Sequence, residues 1–210
     1  MASATRRDVS ASIYGSGAVA NEKVSLTVSD GEVQSARAST EGSWKVLLAP
    51  RAASVQPLNI TVTQHGSQQT LNGVLFGDVW FCGGQSNMEL GLSHTLTRNQ
   101  SFDAVRAGKY AHLRIFSMDH NPQRVPVFVS PTSAVAASWS TAAAALALGR
   151  LPEFAATCWY FGESLADRLG EGVPIGLIES AFGGTSETKP SYHEATQRST
   201  LHQAGIPLLQ

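Results

Sequence analysis

Ser86 is preceded by Gly83-Gly84-Gln85 and followed by Asn87-Met88. A serine hydroxyl attacks an ester carbonyl efficiently only when it is presented in the open and a base takes its proton. Immediately upstream, Val74-Leu75-Phe76-Gly77-Asp78-Val79-Trp80-Phe81-Cys82 is an apolar, β-branched and aromatic run that predicts a buried strand. The paired glycines end that strand, letting the backbone turn sharply and leaving room beside the next residue. Ser86 is therefore expected at the carboxyl end of a strand, on a tight loop before a helix, which is where open α/β sheets bind their ligands. Taken alone, a serine at such a place more often caps a helix or faces water than reacts.

A second strand-like run, Pro174-Ile175-Gly176-Leu177-Ile178-Glu179-Ser180-Ala181-Phe182, ends in Gly183-Gly184-Thr185. Together with Phe76-Gly77-Asp78-Val79-Trp80 and Gly84-Gln85-Ser86-Asn87-Met88, it resembles the catalytic domain of sialate O-acetylesterases, members of the wider SGNH-type carbohydrate esterases. The blocks keep the family's order and a similar separation, and weaker similarity runs from about Ala11 to Thr185. The resemblance implies removal of acetyl groups from O-acetylated sialic acid, or a related acetylated sugar, through a serine acyl-enzyme. It implies Ser86 as nucleophile and the backbone N–H groups of Ser86 and Gly184 as oxyanion donors. The residues themselves leave open which of Gly183 and Gly184 points inward. Asn87 is expected to cap the helix after the nucleophile. No cofactor or metal is implied, and the family suggests a lysosomal or secreted protein.

The base is the missing part. The family's histidine lies in an Asp-x-x-His block beyond the Gly-Gly-Thr strand, and no Asp-x-x-His occurs in this sequence. Trp159-Tyr160-Phe161-Gly162-Glu163-Ser164 is similar to the family's third block, in which glutamine occupies the Phe161 position. Its place along the chain matches a helix instead, so Glu163 reads as a helix-surface residue. After Thr185 the sequence departs from the family pattern, with Glu187 as a remnant of a family glutamate. The chain is thus expected to be a truncated form. His65, His94, His112, His120, His193 and His202 each read as a solvated side chain rather than a base, with His94 and His193 the best placed among them to substitute. A non-catalytic fragment or glycan-binding isoform without the base histidine is the alternative.

The elements that must position these residues give an α/β class: an incomplete SGNH-hydrolase-like, three-layer α/β/α parallel sheet preceded by a small antiparallel β-sandwich. Residues 1–73 are expected to form the sandwich, 74–185 the partial esterase domain and 186–210 a divergent tail. Val24-Ser25-Leu26-Thr27-Val28, Trp44-Lys45-Val46-Leu47-Leu48 and Leu58-Asn59-Ile60-Thr61-Val62-Thr63 read as sandwich strands, with a tight turn at Asp30-Gly31. Ala111–Met118 reads as the second strand of the parallel sheet, and Thr132–Ala147 as either a weak helix or an inserted loop. Phe154, Cys158, Phe161, Leu165 and Leu169 recur at helical spacing, predicting an amphipathic helix packed on the sheet through that face. About three parallel strands can be built, so the sheet is expected to end on an unprotected edge.

The 210 residues are 42% hydrophobic and 15% charged, a globular composition, and the net charge of −1 argues against nucleic acid as a partner. No apolar segment reaches the roughly 18 residues of a membrane span. Met1-Ala2-Ser3-Ala4-Thr5-Arg6-Arg7-Asp8 lacks the apolar core of a signal peptide. Cys82 and Cys158 both lie in apolar contexts, which favours two buried free thiols over a disulfide. Asp119-His120 read as a solvated turn rather than metal ligands. Asn59-Ile60-Thr61 and Asn99-Gln100-Ser101 are N-glycosylation sequons.

Overall fold

A computed structural model describes residues 3–117, 139–181 and 183. A short first strand, β1 (Ser3–Arg6), precedes the β-rich part of the chain: β2 (Ala11–Gly15), β3 (Lys23–Val28), β4 (Val33–Arg37), β5 (Trp44–Leu48), β6 (Ser54–Gln64) and β7 (Ser67–Gly84). β2 and β3 alternate buried and open residues, as does β5, because each shows one face to a core and the other to water. β4, β3, β6 and β7 pair antiparallel in that order, while β2 and β5 form a separate two-stranded antiparallel sheet. Leu26, Val28, Trp44, Leu48, Ile60 and Phe76 fill the space between them. The antiparallel unit read from the strand spacing is present.

The 18 residues of β7 continue past that unit. β7 carries the expected 73/74 boundary in its interior, marked by a break in pairing. Gly73 has φ +67°, its N–H donates to Asn59 Oδ1 at 3.0 Å, and the β6 register shifts between Leu58 and Ile60. A glycine in the left-handed region beside a register shift is what a β-bulge requires. Beyond it, Asp78–Gly84 pairs in parallel with β10 (Ile175–Ala181), and β10 pairs in parallel with β8 (Leu113–Ser117). A two-stranded pairing with β9 (Ser140–Thr141) follows on the far side of β8. β10 thus lies between β7 and β8, and its nearly continuous burial is that of a central parallel strand. Over Asp78–Gly84, β10 is the only described strand paired with β7, so the other edge of this half is without a strand among the described residues.

Four helices complete the described chain: α1 (Ser86–Glu89), α2 (Arg98–Arg106), α3 (Ala142–Ala147) and α4 (Ala156–Leu169). α3 answers the open reading of the alanine-rich stretch. Thr141 caps it by accepting the Ala144 N–H at 3.2 Å, and residues 132–138 lie outside the described set. α4 packs on the parallel sheet through part of the face its hydrophobic spacing predicted: Phe154 and Cys158 are buried and Leu165 packs against the same core. Phe161 and Leu169 are exposed instead, and Ala156, Trp159 and Gly162 join the buried side. Gly162 sets this face: a Cβ there would stand 2.5 Å from Leu177 Cδ1, so the missing side chain lets the helix approach the sheet. Phe161 instead meets Trp80 of β7 edge-on, with ring centroids 5.0 Å apart.

Cys82 and Cys158 form a disulfide, with Cα atoms 5.9 Å apart, correcting the expectation of two free thiols. β7 and the first turn of α4 pack within bridging distance of each other, a proximity that no local sequence pattern announces. On the opposite face of the sheet, Phe116 packs with Trp139 and Ile178. Arg114 shares that face by strand alternation, is buried, and its Nε and Nη1 have no hydrogen-bond partner among the described residues. Burial pushes its pKa down.

At the β3–β4 turn, Arg51 pairs with Asp30 at 2.6 Å and with Glu32 at 2.6 Å, and lies over the Phe76 ring. The hydrogen bond from Arg51 holds the Asp30 carboxyl below the ordinary aspartate range. A depressed carboxyl stabilises the fold fully above its unfolded value and loses that contribution as pH falls through its folded value. Asp30→Asn should therefore flatten part of the loss of stability below about pH 4, measured by urea denaturation across that range. Breaking the 76-residue disulfide connection by Cys158→Ser is expected to lower the unfolding free energy by about 2–4 kcal/mol, read from urea curves of the two oxidised proteins.

Candidate active site

The parallel register carries the two glycine-bearing turns to the same end of the sheet. Gly84, the last residue of β7, is the Cα partner of Ala181, the last residue of β10. Ser86 lies two residues beyond the first and Gly183 two residues beyond the second. The two turns then meet directly: the Gly183 N–H donates to Glu89 Oε2 at 2.8 Å. Glu89 is the last residue of α1, on the same short turn of helix as Ser86. The sequence blocks that resembled one family's site are thus neighbours in space, and the carboxylate joining them had not been singled out.

Ser86 is exposed and opens α1. The capping position belongs to Gln85, with no side-chain cap, so neither the plain capping role for Ser86 nor the expected capping by Asn87 is what the fold shows. The Ser86 carbonyl accepts the Leu90 N–H at 3.1 Å, while its hydroxyl makes no hydrogen bond to a described residue. Gly84 is needed for α1 to turn back over the strand end. A Cβ at this position would stand 2.8 Å from Met88 Cβ, and that atom cannot swing away without moving the helix.

The chain leaving α1 is secured to α4. Leu92 N–H donates to the Phe154 carbonyl at 2.9 Å, and Ala156 N–H donates to the Leu90 carbonyl at 2.8 Å. The Tyr160 hydroxyl lies 2.6 Å from Thr95 Oγ1 and 2.8 Å from Thr97 Oγ1. The disulfide adds a covalent tie four residues before Ser86, at Cys82. The turn that carries Ser86 is therefore held from both sides.

The histidine question falls out unevenly. His94 closes the 3-10 turn after α1 and is exposed, and no hydrogen bond joins its ring to Ser86. His65 lies in a sandwich turn 4.0 Å from Glu22, and His112 precedes β8. His120, His193, His202, Glu187 and Gly184 lie outside the described residues, as do Asp119 and Phe182. Three acidic groups of the quoted blocks have structural partners. Asp78 receives two hydrogen bonds from Arg7, at 2.7 and 3.1 Å, and Glu163 accepts the Trp159 indole N–H at 2.8 Å. Glu179 of β10 is buried and accepts a hydrogen bond from Ser117 Oγ at 2.9 Å. No group of three His, Cys, Asp or Glu side chains among the described residues is placed to hold a metal ion, and no described helix is long and apolar enough to cross a membrane.

Known proteins are similar to this chain in sequence and fold. The chain is 34% identical to mouse (Mus musculus) sialate O-acetylesterase over 176 residues, covering 79% of this chain and 29% of that protein. The human (Homo sapiens) sialate O-acetylesterase is 34% identical over 158 residues, covering 68% and 27% respectively. The chain is a homologue of the sialate O-acetylesterases. A carbohydrate acetylesterase from Xanthomonas citri matches the fold with a TM-score of 0.73 and 29% identity, over 88% of this chain and 39% of that one. No protein-family model matches the chain. This sialate O-acetylesterase homologue spans less than a third of the length of the mouse and human proteins. Its α/β class and its antiparallel unit are those of a carbohydrate acetylesterase fold.

Within the homologue, the Gly84–Met88 contact yields a direct expectation. Gly84→Ala should displace α1 from the end of β7, lowering stability by about 1–3 kcal/mol in urea denaturation. Labelling of Ser86 by a serine-reactive phosphonate should slow in the same variant.

Proposed function

We propose that the chain carries the nucleophile half of a carbohydrate O-acetylesterase, acting on O-acetylated sialic acid or a related acetylated sugar. In this reading Ser86 Oγ attacks the acetyl carbonyl, the carbonyl oxygen takes up negative charge, and the sugar hydroxyl leaves as the acyl-enzyme forms. Water then attacks the acyl group and regenerates Ser86. The single observation carrying the reading is the meeting of the two turns: an exposed, uncommitted serine on one, and the Gly183 turn hydrogen-bonded to the same helix.

That contact also bears on the oxyanion donors. The Gly183 N–H is already engaged by Glu89, which favours the Ser86 N–H and the Gly184 N–H as the pair that receives the developing charge. The choice of sugar rests on the relatives alone, because a site geometry shows reaction class more directly than substrate.

Without an imidazole beside it, Ser86 has no general base among the described residues. An oxyanion hole and substrate binding alone leave a residual acceleration on the order of 10³–10⁴ over water when a triad member is missing. The chain should accordingly hydrolyse an activated acetyl ester slowly, and Ser86→Ala should remove the part of that rate that depends on the hydroxyl. Equal rates for the two proteins would overturn the esterase reading. The same missing base favours a second reading, a glycan-binding protein without catalysis. Stoichiometric phosphonate labelling of Ser86 decides between them, since labelling demands an activated hydroxyl.

A further inference from the structure

Glu89 belongs to no block that carried the original reading, yet it makes the one hydrogen bond described between the two turns. Its carboxylate sits at the end of α1, three residues after Ser86, and one helical turn places positions three apart on the same side. The partner is a backbone amide, so the bond is a charge-assisted one that fixes main chain rather than a mobile side chain. The partner residue is a glycine, and a Cβ there would stand 2.5 Å from Glu89 Oε2, so any side chain at this position would push the carboxylate aside.

We infer that Glu89 is a positioning residue for the oxyanion donors, resting on the esterase reading of Ser86. By taking the Gly183 N–H, it fixes the second glycine turn against the short helix that begins at Ser86. Glu89 does not touch the ester and moves no proton. Its work is geometric: an oxyanion donor contributes fully only when it is held in place before charge develops.

The experiment compares Glu89→Ala, Glu89→Gln, Gly183→Ala and the Glu89→Ala/Gly183→Ala double variant in the full chain, each checked for an unchanged near-UV spectrum. Gly183→Ala is the safeguard against misfolding, because the atom it meets is the free end of a flexible side chain that can swing aside. With an activated acetyl ester, Glu89→Ala and Gly183→Ala are each expected to lower kcat by about 10–100-fold, short of the 10²–10³ for outright loss of a donor. KM should stay within about twofold, since a group that orients transition-state donors leaves ground-state binding alone. Glu89→Gln keeps an acceptor oxygen and should retain most of kcat, and the double variant should be no worse than either single one.

Unchanged kcat in Glu89→Ala, a loss confined to KM, or additive effects in the double variant would overturn the inference. If the wild-type chain shows no Ser86-dependent turnover, the esterase reading fails by that result alone. Glu89 is then judged by hydrogen exchange at the Gly183 amide. Protection lost in Glu89→Ala and kept in Glu89→Gln supports the tie, and equal protection in all three proteins overturns it.

Discussion

A strand has only one pattern of alternation, and β7 uses it in two sheets at once. Val74 and Phe76 point into the core of the antiparallel unit. Continuing the same alternation, Trp80 meets α4 through Phe161 and Cys82 meets it through Cys158. A slip of one residue in the antiparallel half would turn the second half over and carry Cys82 away from α4. The antiparallel unit therefore acts as more than a neighbour of the parallel sheet: its register determines the direction in which the nucleophile turn leaves. The bulge at Gly73 shifts the register with β6, whose antiparallel pairing runs on to Phe76 before β10 takes over from Asp78.

The site then follows from parallel pairing. Two parallel strands ending at the same level deliver their following turns to one place. Steric demands keep the arrangement narrow. Met88 packs against the space over Gly84, and Glu89 fills the space over Gly183, so each glycine is occupied by a side chain of α1. A helix of only four residues has little intrinsic stability. Here it is held by these contacts, by the anchoring of the following segment to α4, and by the disulfide below it. Rigidity at Ser86 comes from its surroundings rather than from its own secondary structure.

Much of the local structure was legible in the residues. β3, β5 and β6 show clean alternation, Asp30-Gly31 falls at the β3–β4 turn, and the apolar run before Ser86 is the parallel half of β7. The exceptions share a cause. The spacing of large apolar residues in α4 suggested a face including Phe161 and Leu169, but helices approach a sheet along the line where backbone comes nearest. In α4 that line runs through Gly162, which carries no hydrophobic signal. The disulfide was missed because two cysteines 76 residues apart meet only through packing. Glu89 was passed over because a glutamate in a short polar turn looks like any solvated carboxylate until the second glycine turn is brought against it.

By itself, the order of residues settled where strands run, where glycines permit turns, and which serine stands at a strand end. Those properties depend on neighbours within a few positions, through alternation and backbone sterics. Tertiary structure decided the placement of β10 between β7 and β8, the pairing of Cys82 with Cys158, the contact face of α4 and the grip of Glu89 on Gly183. Each of these joins segments distant in sequence, where the energy of an encounter depends on shapes that exist only once both partners have folded.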